Sequence, residues 1–296
     1  MATIGPSLEV SSENGRALQV DVAGPDDGTL VLLHDGTPTA GHLYEPLVEA
    51  GAERGLRHAS YARPGYRGSD RNEGRGVADC IPDVVAVADA LGGDRFHVIG
   101  WSGGGPHALA TAALLPERVL SAATIGGVAP ADAEGLDWTA GMGEENVAEF
   151  EAAETGGDAL RAFLAEMGAG LTHVSGPELH AELGGLVSEV DREALTGDFA
   201  EHMAATVRDA LSTGIWGWFD DDLAFVRDWG FDLASIERPV AIWQGGQDRF
   251  VPFAHGEWLA KHVSRAEAHL LPDEGHLSLG VPGYAAVLDA LIAAAE

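Results

Sequence analysis

The chain begins with alternating apolar and polar positions. Leu8 and Val10 precede Asn14-Gly15, and Leu18, Val20 and Val22 follow it, the spacing of an antiparallel hairpin with Asn-Gly supplying positive φ at its turn. The pattern then changes to "TLVLLHDGTP", a short unbroken apolar run ending in turn residues, which predicts a strand buried on both faces. Helical spacing follows over about His42 to Arg54. The same succession recurs: "VADCIPDVVAVADALGG" reads as a helix closed by Gly92-Gly93, "RFHVIGWS" as a buried strand, "GGGPHALATAALLP" as a helix stopped by Pro116, and "RVLSAATIGGVAP" as the next strand. Repeated strand–helix–strand units predict an α/β fold, with a mostly parallel sheet and helices on both faces.

From about Pro130 to Arg238 the rhythm gives way to acidic helical pieces, "EENVAEFEAAE", "DALRAFLAEMG" and "DREALTGDFAEHMAATVRDALS". Strands resume at "RPVAIWQGG" and "AEAHLLPDEGH", and "YAAVLDALIAAAE" reads as a last helix packed on the sheet. The expected organisation is one core domain made of residues 1–129 and 239–296, with residues 130–238 inserted as a helical cap.

Composition narrows the possible partners. With 47 acidic against 17 Lys and Arg residues the formal net charge is -30, which disfavours nucleic acid and anionic membrane surfaces. The acids are scattered, and Lys261 is the only lysine. A surface of this kind suggests adaptation to high salt, where screening removes the self-repulsion. Cys80 is the only cysteine, so neither an intramolecular disulfide nor a thiol-based metal site is possible. The start "MATIGPSLEV" has no signal-peptide pattern, and no run approaches the roughly 18 apolar residues of a membrane span. A soluble cytoplasmic protein with no metal is expected.

Gly100-Trp101-Ser102-Gly103-Gly104 fits Gly-X-Ser-X-Gly, the nucleophile elbow, in which serine sits on a strained strand-to-helix turn. The context is right: "FHVI" precedes it and a helical run with Pro106 in its first turn follows. A serine hydroxyl needs a base, and the base an orienter. Among the 12 histidines, His276 lies in a loop just after the last strand, whereas His107, His255 and His262 sit on helices. For the acid, Asp248 follows the strand "VAIWQGG"; Asp132 is its rival, and Asp273 is too near His276 in sequence. The resulting order, Ser102, Asp248, His276, is the one expected for this kind of sheet. Backbone N–H groups of Gly103 and of Thr37, in the loop after "LVLLH", are the expected oxyanion donors.

Together these residues resemble the α/β-hydrolase superfamily over almost the whole chain. The segments "HDGTP", "RPGYRGSD", "GWSGGGPHALA", "WGWFDDD" and "GGQDRFVP" are closest to capped serine hydrolases of prokaryotic, actinobacterial-like type. The resemblance implies an eight-stranded sheet with a helical cap over the serine, and no cofactor. Asp35 departs from the family, standing where a histidine usually precedes the glycine, and so alters the hydrogen bonding behind the oxyanion loop. Ala62 replaces a common aspartate, a change expected to loosen the same region.

A serine nucleophile points away from branches that use a carboxylate, leaving hydrolysis of small-molecule carboxylic esters through an acyl-enzyme as the leading reading. Amide or peptide hydrolysis, or cofactor-free perhydrolysis, on the same triad are alternatives; a slow-turnover ligand-binding protein is a third. Trp101 and the cap aromatics Trp138, Phe150, Trp216, Trp218 and Phe219 are candidates to line the substrate pocket, with core packing the competing role for Trp216 and Trp218.

Overall fold

The computed structural model describes residues 4–295. Its centre is one eight-stranded sheet in the order β1-β2-β4-β3-β5-β6-β7-β8. The strands are β1 (Leu8–Ser11), β2 (Ala17–Ala23), β3 (Thr29–His34), β4 (Leu56–Tyr61), β5 (Phe96–Trp101), β6 (Val119–Ile125), β7 (Val240–Gly245) and β8 (Ala266–Leu271). β1 and β2 pair antiparallel, as do β2 and β4; every other neighbour is parallel. The expected α/β class and mostly parallel sheet are therefore present.

The opening hairpin is looser than expected. Ser11 pairs with Ala17, so the connection spans Ser12 to Arg16, and only Gly15 adopts positive φ (+76°). Asn14 stays in the ordinary region, because a wider turn closed by Ser12 N–H to the Arg16 carbonyl does not need two left-handed residues.

Helices α1 (Glu45–Ala52), α2 (Ile81–Ala90) and α3 (Gly105–Leu114) connect the first parallel strands, and α4 (Glu144–Thr155), α5 (Gly157–Leu171), α6 (Gly176–Glu182), α7 (Glu189–Ala194), α8 (Gly197–Ala210) and α9 (Trp216–Phe225) lie between β6 and β7. The long acidic stretch expected as one helix is split into α7 and α8 at Leu195-Thr196, where Gly197 takes a φ of +53°. Next come α10 (Phe253–His262), α11 (Leu277–Gly280) and α12 (Tyr284–Ala293). Val287, Leu288 and Leu291 of α12 are fully buried against Val31, Ile99, Ala123 and Trp243 of the sheet, each burial contributing about 1.5–3 kcal/mol.

Residues 130–238 do not separate cleanly from the core. A cluster from α5, α8 and α9 forms its own apolar centre, but Trp138, Phe225, Trp229 and Leu233 share the cluster that contains Leu32, Val98 and Ile242 of the sheet. Side chains near both ends of this stretch thus pack into the main core. Among the described residues, no helix is long and apolar enough to cross a membrane.

Candidate active site

The parallel strands bring their carboxyl ends together, the place where open α/β sheets collect ligands. Ser102 follows β5 directly and is one of two non-glycine residues with positive φ among the described residues, at +54°. Such a conformation costs on the order of 1–3 kcal/mol and is tolerated only where the surroundings enforce it. Those surroundings are glycine. A Cβ on Gly104 would lie 1.9 Å from the His34 carbonyl oxygen, one on Gly100 2.3 Å from the Gly104 oxygen, and one on Gly105 2.7 Å from Gly127 Cα. The third glycine of the run, which the elbow pattern leaves unexplained, is therefore required by the approach of α3 to the segment after β6.

Asp248, after β7, and His276, after β8, form a buried pair with Nδ1 of His276 2.7 Å from Oδ2 of Asp248. The carboxylate is saturated: its oxygens also accept N–H groups from Phe250 (2.9 Å) and Val251 (2.8 Å) and the Gln244 amide (3.1 Å). With Nδ1 donating to Asp248, the His276 Nε2 is left free to accept a proton. Burial pulls the His276 pKa down, but the charge and hydrogen bond of Asp248 outweigh it and hold it above the usual value. Phe250 stacks on the imidazole at 4.7 Å. Gly126, at the end of β6, makes room, since a Cβ there would meet His276 Nδ1 at 2.8 Å and Asp248 Oδ2 at 3.1 Å. Asp132 and Asp273, the competing acids, are exposed. His107 and His255 are buried structural groups, with His107 Nδ1 on the Gly103 carbonyl (3.0 Å) and His255 bridging Ala129 N–H (3.1 Å) and the Trp138 carbonyl (2.8 Å). Burial brings them down to about 3 and about 4, so both are neutral at physiological pH.

Two carboxylates between β6 and β7 hold this arrangement, and no sequence motif assigned them a role. Asp191 of α7 is fully buried and accepts the backbone N–H groups of His276 (3.1 Å), Leu277 (2.7 Å) and Ser278 (3.0 Å). It thereby fixes the loop that carries the imidazole, and Gly275 is small because a Cβ would lie 2.4 Å from that carboxylate. Asp221 of α9 pairs with Arg63 Nη2 (2.6 Å) and Arg75 Nη1 (2.6 Å) and accepts from Tyr66 and Thr37 hydroxyls at 2.8 Å each. Burial raises the Asp221 pKa, but the two guanidiniums dominate and keep it far below the carboxylate range. Arg63 in turn donates to the Asp35 and Gly36 carbonyls.

The two departures from the family pattern lie beside this belt. Asp35 accepts the Gly36 N–H (2.9 Å), and the Ala62 segment is tied down by its own N–H to Gln19 (2.9 Å) and by the Ser69 hydroxyl on its carbonyl (2.7 Å). Beside it, Arg63 clamps the Asp35–Gly36 backbone. Thr37 and Gly103 are brought together: a Cβ on Gly103 would approach Thr37 Oγ1 to 2.4 Å, and the Thr37 N–H has no backbone acceptor among the described residues.

Ser102 and His276 line one cavity of about 130 Å³, with Trp101, Tyr44, Phe199 and Leu277 among its walls. Ser102, Gly103 and Thr37 also line a second cavity of about 100 Å³, walled by Phe150, Trp218, Glu149 and Asp222. Of the aromatic candidates, Trp101, Phe150 and Trp218 thus face the cavities, and three do not. Trp138 is buried in the core, its indole N–H on the Ala129 carbonyl (2.6 Å). Trp216 is 37% exposed under Arg71, 4.2 Å from its ring, and Phe219 packs edge-on against Trp216 at 5.7 Å. Aromatic rings near the chain's apolar seams serve packing as readily as binding, and sequence spacing does not distinguish the two.

A family model for the alpha/beta hydrolase fold matches residues 29–281. A pimeloyl-[acyl-carrier protein] methyl ester esterase of Nitrosomonas europaea is 28% identical over 255 residues, 86% of this chain and 89% of that protein. A 2-hydroxy-6-oxononadienedioate/2-hydroxy-6-oxononatrienedioate hydrolase of Klebsiella pneumoniae is 26% identical over 281 residues, 89% of this chain and 86% of its own. Among solved structures, a bromoperoxidase from Bacillus anthracis superposes with a TM-score of 0.71 at 20% identity, covering 97% of this chain and 99% of that one.

Proposed function

The chain belongs to the alpha/beta hydrolase fold family, and from that premise we propose that it is a serine hydrolase of carboxylic esters. Ser102 Oγ attacks the ester carbonyl while His276 Nε2 takes its proton; the C–O bond to the alcohol breaks and the alcohol leaves with that proton. Water then attacks the acyl-Ser102 carbonyl, giving up a proton to His276, and the acid departs as Ser102 regains its hydrogen. Asp248 holds the imidazole, and the Thr37 and Gly103 N–H groups receive the oxyanion. The observation that carries this reading is the strained φ of Ser102 beside a buried His276–Asp248 pair on the same cavity. Strain at one hydroxyl is otherwise hard to account for.

Relatives with different substrates share this scaffold, so the choice of ester rests on the lining. Neither cavity around Ser102 contains a Lys or Arg among its lining residues. Arg63 and Arg75 are committed to Asp221. A dicarboxylate of the kind named for the Klebsiella relative would enter without a Lys or Arg partner, and His42, a histidine on the wall whose pKa is raised, is committed to Asp21 and Asp209, whereas an ester free of carboxylates meets mostly apolar walls. A fluorophosphonate label followed by peptide mapping tests the reading. Labelling at Ser102 that vanishes in Ser102→Ala is expected; labelling elsewhere, or none, overturns it.

A further inference from the structure

Two cavities meet at Ser102, and one of them contains the imidazole. His276 lines the first, while the second is lined by Ser102, Gly103 and Thr37 and has no histidine on its walls among the described residues. The proposed chemistry makes that asymmetry directional. Around the tetrahedral carbon stand Ser102 Oγ, the oxyanion held by the Thr37 and Gly103 N–H groups, the ester oxygen and the acyl carbon. His276 Nε2 has to reach both Oγ and the ester oxygen, because it takes a proton from one and gives it to the other. The alcohol therefore extends on the His276 side and the acyl chain on the opposite one. We propose that the alcohol portion of the substrate occupies the first cavity and the acyl portion the second, so that the site selects esters of long apolar alcohols. This orientation rests on the hydrolase reading, whose serine and histidine define the two sides.

The first cavity is a channel along the sheet. From Ser102 it passes Leu33, Ile99 and Ile125 and reaches Leu47 of α1 and Tyr284 of α12, on the sheet face that those helices cover. His58 of β4 lies at its far end, and the strand register sets the depth. His58 pairs with Val31 and Val31 with His97, five residues before Ser102, so about 16 Å of strand separates the serine from this floor. At the floor His58 Nε2 meets the Tyr284 hydroxyl at 2.9 Å, and Gly51 gives the ring its place, since a Cβ there would lie 1.9 Å from His58 Cε1. Burial holds this imidazole down at about 4, so it places no charge against an apolar chain at neutral pH. The second cavity is different: no described residue that lines it belongs to a strand, and its walls come from α4, α5, α9 and the neighbouring loops. A flexible alkyl group follows the channel, each methylene withdrawn from water strengthening binding by up to about fourfold.

Two isomeric esters that differ in which side carries the chain, octyl acetate and ethyl octanoate, test the orientation when one cavity at a time is filled. Leu47→Phe narrows the channel and Met167→Trp the second cavity, both at partly buried wall positions. Met203→Trp and Leu171→Phe, on the same two walls, stand in for either variant if it fails to fold. Titration of the released acid gives kcat/KM for each ester, and the ratio of the two esters cancels any general loss of activity. The ratio of octyl acetate to ethyl octanoate should fall at least tenfold in Leu47→Phe and rise at least tenfold in Met167→Trp. A ratio that stays put, or moves the opposite way, in either folded variant overturns the orientation. Mass spectrometry of quenched reactions separates this reading from the one it rests on. Acylated Ser102 with the wrong pattern of ratios sinks the orientation alone, whereas Ser102 left unacylated by both esters sinks the hydrolase reading and the orientation with it.

Discussion

Replacing Asp221 with Asn removes one negative charge from between two buried guanidiniums. Arg63 and Arg75 each approach it to 2.6 Å and both side chains are 3% exposed, so neither can turn to water for compensation. Breaking a buried pair by removing one partner typically costs about 3–5 kcal/mol, and here two cations lose the same anion, placing the expected cost at the upper end. The comparison is Asp289→Asn, whose partner Arg54 lies at the surface with the aspartate 63% exposed; that change should cost under about 1 kcal/mol. Urea unfolding at pH 7, with the slopes checked for equality, reads both. Catalysis should suffer as well, because Asp221 holds Thr37 directly and the Asp35–Gly36 backbone through Arg63. Loss of a single oxyanion donor costs on the order of a hundredfold in kcat, and misplacing one should cost tenfold or more. The pH dependence has a definite sign. The folded pKa of Asp221 is depressed, so its stabilisation is complete above the ordinary carboxylate pKa of about 4 and is lost only as pH falls below it. The penalty of Asp221→Asn should therefore be equal at pH 6 and pH 8. A penalty no larger than that of Asp289→Asn, with kcat unchanged, would refute the reasoning.

Asp191→Ala strips the acceptor from three buried N–H groups, each worth about 1–3 kcal/mol when unsatisfied; kcat should fall far more than KM rises, and substrate titrations of the folded variant check the split. The acid limb of kcat/KM should have its midpoint above the usual histidine value of about 6.5 because Asp248 favours imidazolium, and activity appears as His276 deprotonates. Asp248→Asn should lower that midpoint in a pH–rate profile and reduce kcat about 10³–10⁴-fold. With a net charge of -30, the melting temperature and activity should rise from dilute to molar salt; a flat response would remove salt adaptation as the reason for the acidic surface.

What the sequence discloses here is what local pattern can carry. The elbow glycines, the strand before Ser102, and the loops bearing Asp248 and His276 are each local, and the hydrophobic runs are enough to place β3, β5, β6, β7 and β8 around them, though not β4. Asp221 and Asp191 are different in kind. Their partners lie 158 and 85 residues away, so their roles exist only once the helices between β6 and β7 are packed on the sheet. The "WGWFDDD" segment marks itself by similarity, yet its three adjacent acids do unlike things: Asp220 pairs with Arg71, Asp221 anchors the belt, and Asp222 faces a cavity. The aromatic candidates divide for the same reason, since the rings of Phe150, Trp216, Trp218 and Phe219 face pocket, core or solvent according to how their helices dock.

The most direct test of the central claim is to look for the covalent intermediate. Rapid acid quench of the protein mixed with p-nitrophenyl butyrate, followed by digestion and mass spectrometry, should find a butyryl group on the peptide containing Ser102 and none in Ser102→Ala. A butyryl group on another residue, or steady turnover undiminished in Ser102→Ala, would contradict the account.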